Sequence, residues 1–470
     1  MAGLVRSGAF YRKSAAIAIP IALQSMITMG VNMMDTIMVG RLGEQALSAV
    51  SLANQFITLF QICCMGMGMG AAVLTARFWG KGDLPSLKQS ITIMLRFCLV
   101  IASGFSLATL AIPRAILSLY TSEAPLLELG TVYFLWSVPS YWLTGFSLTT
   151  TLVLRSVGET RLPLLTSIAA FFVNVGANYI FIFGKFGVPA MGVAGAALGT
   201  LISRVMECAV IFGSFLFVEK RIGYRVKDLF CRCGGLLGEY LRISLPVLIS
   251  DTLLGLGNNA VAVVMGHIGS AFVAANAITT VTQQLSTTFT QGVSQASCIV
   301  IGHTLGEGDT ERAQQEGVTF LVLGAGIGVL AGGFIMLLSG PVIGMYQVSA
   351  ETEEIARQLM LAVGFIVIFM SCNNIMTKGV LRGGGDTRFL MVADILFLWA
   401  VSIPLGALAG LVWHLPPFWI YVCLKIDQIL KAFWCVTRLR SRKWIKVIHG
   451  ADCQKSQFKS ISSGGHAPTA

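Results

Sequence analysis

Charge is what this sequence has least of. Asp, Glu, Lys and Arg make up 12% of its 470 residues, hydrophobic residues make up 55%, and mean hydropathy is +0.77. A soluble domain is about a quarter charged, so a chain this poor in charge cannot clothe a water-facing surface, and most of its surface must face lipid. No Cys-x-x-Cys pair exists among the eleven cysteines, which removes a zinc ribbon or a disulfide framework and leaves them as small hydrophobes. His-Glu-x-x-His, Gly-x-Ser-x-Gly and paired catalytic aspartates are also missing, so an intramembrane enzyme is not expected. The net charge of +11 comes without aromatic-basic interleaving, so nucleic acid is not an expected partner. The first apolar stretch, 15–38, follows Arg6, Arg12 and Lys13 but carries no small-residue cleavage site. It reads as a retained helix, not a signal peptide.

What is present is a series of apolar runs long enough to span a bilayer, each near the roughly 20 residues a membrane helix needs. They lie near 15–40, 46–76, 89–112, 127–154, 162–184, 190–217, 242–266, 272–301, 317–339, 354–381, 388–411 and 416–436. The expected fold is therefore an all-α integral membrane protein of twelve transmembrane helices. With the N-terminus inside, 24 of the 33 Lys and Arg residues fall in cytoplasmic loops and tails and four in external loops. That asymmetry places both termini in the cytoplasm.

The chain also repeats. At an offset of 226 residues, Pro20 meets Pro246, Asn32 meets Asn258, Gly66 meets Gly292, and Gly80-Lys-Gly-Asp83 meets Gly306-Glu-Gly-Asp309. At 227, Arg155-Ser-Val-Gly-Glu-Thr-Arg161 meets Arg382-Gly-Gly-Gly-Asp-Thr-Arg388. Two six-helix lobes are expected at 1–217 and 242–440, with a basic cytoplasmic linker at 218–241 and a polar tail at 441–470. Parallel repeats of even helix count are related by an axis along the membrane normal, with a cavity at their interface.

Polar residues inside the spans mark the candidate site. In the first segment Gln24, Thr28, Asn32 and Asp35 share one helical stripe. An intramembrane carboxylate costs a few kcal/mol unless solvated, paired or protonated, and by default marks an ion or proton pathway. Asn174 and Asn178 in the fifth segment, with Ser167 two turns earlier, offer neutral hard oxygens to sodium or amides to a protonated acid. Further polar stripes run through the second segment (Ser51, Asn54 or Gln55, Thr58, Gln61), the fourth (Ser137, Tyr141, Thr144, Ser147) and the eighth, where Gln283 and Gln284 stand out. They suggest a wet cavity wall, although such stripes also serve as interhelical glue. Pro20 and Pro246 are candidate kinks. Met65-Gly-Met-Gly-Met-Gly70 reads as a pliable or closely packed helix. Arg204 and Glu207 are expected to pair near the cytoplasmic side. Asp394 and Lys378 show no evident partner.

Taken in order, these motifs resemble the multidrug and toxic compound extrusion (MATE) family. Val31-Asn-Met-Met-Asp-Thr-Ile-Met-Val-Gly-Arg-Leu-Gly43 looks like its first-helix signature, the Gly80–Asp83 and Gly306–Asp309 loops like its paired loops, and Gly192-Val-Ala-Gly-Ala-Ala197 like its sixth-helix entry. The resemblance covers roughly 10–440. It implies two six-helix lobes around a central cavity and export of amphipathic, mostly cationic compounds against inward sodium or proton flow, by alternating access in the plasma (bacterial inner) membrane. It implies coupling-ion ligands at Asp35, Asn174, Asn178 and Thr200. With the polar stripes, the expected substrate cavity includes Gln24, Thr28, Asn32, Tyr141, Gln283, Gln284 and Asp251; a working monomer and no cofactor beyond the ion are expected. Asn178 matches the NorM-type branch. That branch also uses acids in helices 7 and 10, but here Asp251 lies about a turn from the expected place and helix 10 carries Asn373, Asn374 and Lys378 instead. The alternatives are a lipid-linked precursor flippase of the same superfamily, which would need several cavity bases, or a passive channel.

Overall fold

In the computed structural model the described residues are 3–230, 234–345 and 348–448, and they form helices throughout, with no strand among them. Long apolar runs leave a backbone in lipid no partner for its amides except its own carbonyls, so helices are the outcome. We number them α1 Gly8–Gly40, α2 Glu44–Lys81, α3 Leu84–Ala111, α4 Ala124–Ser156, α5 Arg161–Phe183 and α6 Gly192–Val218. The second series is α7 Gly234–Ile268, α8 Ser270–Gly306, α9 Thr310–Gly344, α10 Ala350–Leu381 and α11 Thr387–Val412. The last, α12, is Pro417–Leu424 and Ile426–Arg440, broken at Lys425. Nine of the described helices are long and apolar enough by themselves to cross a membrane; α4, the polar α8 and the interrupted α12 are the other three.

The repeated loop motifs have a shared physical cause. Gly82 (φ 75°) and Gly308 (φ 88°) take the left-handed conformation just past α2 and α8, which only glycine adopts freely. The aspartate that follows each one caps the next helix: Asp83 accepts from the Ser86 amide at 3.1 Å and Asp309 from the Arg312 amide at 2.9 Å.

The chain forms two compact units, and each borrows a piece of the other half. One unit is Leu23–Leu248, so it holds the first half of α7. That half seats on α2 through the Met-Gly repeat: a Cβ at Gly66 would lie 2.8 Å from the Leu248 backbone, and one at Gly70 2.8 Å from the Ser244 backbone. The Met-Gly run is thus a close-packing surface. The other unit is residues 3–22 with Ile249–Ile448, so it holds the first half of α1. There a Cβ at Gly292 of α8 would lie 2.5 Å from the Ala18 carbonyl. Phe10, Ile17, Ala18 and Ile21 pack with Phe320, Val300 and Leu381 in the same unit. Both helices run unbroken through Pro20 and Pro246, and each changes unit two residues beyond its proline.

The basic linker is ordered against α3 over its described part: Lys88 donates to the Gly223 carbonyl at 2.5 Å and Arg96 to the Leu229 carbonyl at 2.7 Å. At the far end, Trp444 lies within the expected tail yet is fully buried and donates to Gln314 at 2.8 Å. Cys231, Cys233 and the tail beyond Ile448 lie outside the described residues.

Candidate functional site

The site is built on α1, α5 and α6 of the Leu23–Leu248 unit. Asp35 accepts a hydrogen bond from Asn178 Nδ2 at 2.6 Å, and the same nitrogen reaches Asn174 Oδ1 at 3.3 Å. Both asparagines are buried, each 1% exposed. The helical spacing of four puts the two amides on one face of α5, and that face meets the Asp35 face of α1. The three polar residues singled out from sequence therefore come together. Asn178 Oδ1 is buried and accepts no hydrogen bond. It lies where a Cβ on Gly199 would fall, so α6 must carry glycine there. Gly199 is not among the residues expected from the sequence; its signal there is the small-residue run Gly195-Ala-Ala-Leu-Gly-Thr200.

Asp35 opens onto two cavities. The larger, about 240 Å³, is walled by Asn32, Ser51, Asn54, Thr58, Gln61, Tyr133, Ser137, Thr144, Thr200 and Arg204. The smaller, about 50 Å³, includes Thr28, Asn32, Ser167, Asn174, Thr200 and Glu207. The second-segment stripe and, from the fourth, Ser137 and Thr144 line this polar wall, whereas Ser147 is buried away from it. Asn54 supplies the α2 amide rather than Gln55, and Ser140 takes the place expected of Tyr141. Tyr141 is 1% exposed, its hydroxyl accepts from Thr109 at 3.2 Å, and its ring packs on Phe60 at 4.9 Å. Its position in the stripe is helical, but its side chain goes to the core.

Arg204 and Glu207 pair at 2.6 Å, as their spacing predicts. Their placement is a correction: both line the smaller cavity beside Asp35, so the pair belongs to this site and not to the cytoplasmic end. Gln24 is also placed differently from expectation. It lines neither cavity, since its Oε1 accepts from Arg155 at 2.6 Å and its Nε2 donates to Ser167 at 2.8 Å.

The remaining candidates lie in the other unit. Asp251 pairs with Arg382 at 3.3 Å. Asp394, which had no evident partner in the sequence, accepts from Ser250 at 2.5 Å and pairs with Lys431 at 3.2 Å; Lys431 also pairs with Asp427 at 3.0 Å. Gln283 contacts Met370 and Tyr421, while Gln284 is exposed. Neither lines the two cavities described above. Lys378 is in no ion pair among the described residues.

The donor set of Asp35, Asn174, Asn178 and Thr200 consists of hard oxygens, which fits sodium or another hard cation. The carboxylate alone would suffice for a proton. No group of three or more His, Cys, Asp or Glu suited to a transition metal occurs among the described residues.

Comparison with known proteins gives one family: the MatE model matches residues 20–180 and 246–408, one match per repeat. A relative named probable multidrug resistance protein NorM, from Thermotoga maritima, is 24% identical over 436 residues, covering 92% of each chain. The multidrug resistance protein MdtK of Edwardsiella ictaluri is 25% identical, covering 87% of this chain and 91% of its own. A solved MATE structure in a bent conformation superposes with a TM-score of 0.83 over 92% of this chain and 96% of its own, at 19% identity. That likeness shows the fold.

Proposed function

The chain belongs to the MatE family, and on that premise we propose that it is a cation-coupled exporter of amphipathic, mostly cationic compounds, driven by inward sodium or proton flow through Asp35. The observation that carries the reading is the Asp35–Asn178 contact at 2.6 Å on the wall of a polar cavity, in the one half of the repeat that has it. Asp35, Asn174 and Thr200 would hold a sodium ion, and turning the Asn178 amide would add its buried oxygen. A proton would need Asp35 alone, with Asn178 as hydrogen-bond partner to either form.

Each occupancy changes the charge at α1 by one. One charge crossing 100 mV is worth about 2.3 kcal/mol, which biases a two-state transporter by more than tenfold. Alternating access then follows if occupied and empty Asp35 favour different conformations. Cargo choice follows from the cavity wall. Its lining has one carboxylate, many neutral polar groups and one base, Arg204, held by Glu207. With Arg204 neutralised by Glu207, a cation meets no net repulsion there, and a pyrophosphate would find no cluster of bases, which disfavours the flippase reading. The expected topology, both termini cytoplasmic, rests on the Lys and Arg distribution.

Efflux of a cationic dye from reconstituted vesicles, under separately imposed sodium and pH gradients, tests the proposal. Wild type should respond to at least one gradient, and Asp35→Asn should respond to neither while folding normally. Wild-type efflux by Asp35→Asn under both gradients would end it.

A further inference from the structure

We propose that Gln24 is a positioning residue for the ion site: tied to Arg155 and Ser167, it sets the register of α1 against α5 so that Asp35 meets Asn178. The inference rests on the reading of Asp35 as the coupling residue.

The geometry is a matter of matched spacing. Gln24 bonds Ser167 and Asp35 bonds Asn178, both pairs 143 residues apart in the chain. The two contacts are eleven residues apart on each helix. Eleven residues make about three turns, so parallel helices joined at one contact bring the other into line. A shift of α1 by one residue would move Asp35 about 1.5 Å along the axis and 100° around it, away from Asn178.

No fully buried apolar side chain of α1 sets this register. Between Ala22 and Met38, all described, the one buried residue of α1 is Gln24, 7% exposed. In the same stretch Leu23, Met26 and Met33 are exposed, and Ile27, Val31 and Met34 are half-buried. A helix held by a knob-filled seam resists sliding through many small contacts; this stretch has only half-buried apolar side chains, and its directional bonds are the polar ones from Gln24 and Asp35. Arg155 sits at the end of α4, so through Gln24 the loop motif that begins with Arg155 reaches the ion site.

The repeat supplies an independent second case. Ser250, at the position matching Gln24, bonds Asp394, which matches Ser167. Arg382, matching Arg155, bonds Asp251. Between Val247 and Val261 on α7 the buried residues are Ser250 and Gly257. Both copies thus fasten a sparsely packed helix at the same place, just past its change of unit.

The test uses the full chain in vesicles with ethidium, a cationic dye, as cargo, and reads efflux against coupling-ion concentration. Gln24→Leu, which removes both bonds, should raise the ion concentration at half-maximal efflux about tenfold, the scale seen when a group that orients an ion ligand is lost. The rate at saturating ion should fall much less. Gln24→Glu can accept from both Arg155 and Ser167 and should behave as wild type. Ser167→Ala should give an intermediate shift and serves if Gln24→Leu does not fold. An unchanged half-maximum in Gln24→Leu and Ser167→Ala, or equal damage from Gln24→Glu and Gln24→Leu, would overturn the proposal. If Asp35→Asn itself keeps wild-type gradient dependence, it is the coupling reading that has failed. Register is then judged by bismaleimide cross-linking of a Gly30→Cys, Phe171→Cys pair, chosen because a Cβ at Gly30 lies 3.7 Å from the Phe171 ring. Loss of the cross-link in Gln24→Leu supports the lock, and an equal yield refutes it.

Discussion

The α1–α5 crossing and the α7–α11 crossing are copies of one another, and they differ in where they spend their charge. At the lower contact the first has neutral Gln24 and Ser167, with Arg155 as the single charge; the second has one ion pair, Asp251 with Arg382, and beside it Lys431 paired with both Asp394 and Asp427. Three turns further on the order reverses. The first has Asp35 and Asn178, whereas the matching positions in the second are Val261, buried among apolar side chains, and Leu405. A duplicated framework can therefore keep its fastening points in both copies while one copy carries an ion-binding group and the other fills that place with hydrocarbon. Buried ions that are mutually paired fix a structure; a carboxylate held by amides beside a cavity stays available to a ligand.

The largest effect expected from this contrast is at Lys431. Lys431→Met leaves Asp394 and Asp427 as buried carboxylates without their shared cation, at a cost of about 3–5 kcal/mol. Thermal unfolding in detergent should show a clear loss of stability, whereas Asp35→Asn should leave Tm near wild type and remove transport. An unchanged Tm for Lys431→Met would mean the second crossing is not structural, and the contrast breaks. Next come the seats of the borrowed half-helices. Gly70→Val and Gly292→Val each force side-chain atoms into a neighbouring backbone, which costs about 1–3 kcal/mol. The two Tm losses should be similar; a loss confined to one copy would limit the symmetry to sequence.

Smaller is Asp251→Asn, which weakens a charged hydrogen bond to Arg382 worth about 1.5 kcal/mol. It should lower efflux in part and leave the coupling-ion dependence where it was. A shift in that dependence would place an ion site in the second copy too. The smallest change is the control: Arg442→Ala breaks an exposed pair with Glu311 and should move Tm by no more than about 0.5 kcal/mol allows.

Much of the site was legible in the sequence because its parts obey one-helix spacing. Asp35 follows Asn32, Thr28 and Gln24 on one stripe, and Asn174 and Asn178 are four apart, so a period of 3.6 suffices to group each set. The repeat then says which helices correspond. Spacing along one helix, however, gives direction and not depth. Tyr141 lies on the same stripe as Ser137 and Thr144 but turns into the core, while Ser140 reaches the cavity. Asp394 and Lys431 are 37 residues apart on different helices, and nothing along either one announces the other.

The sequence by itself determined that this chain lies in a membrane, that it is helical, that it is doubled, and which carboxylate stands among amides, because lipid forbids unpaired backbone and charge and so writes those constraints into composition and period. Tertiary structure alone decided that Gln24 is fastened rather than open to cargo, that Gly199 makes room for Asn178, and that Lys431 joins two aspartates. These depend on where one helix crosses another, and a crossing point is set by side chains from distant parts of the chain meeting within about 3 Å.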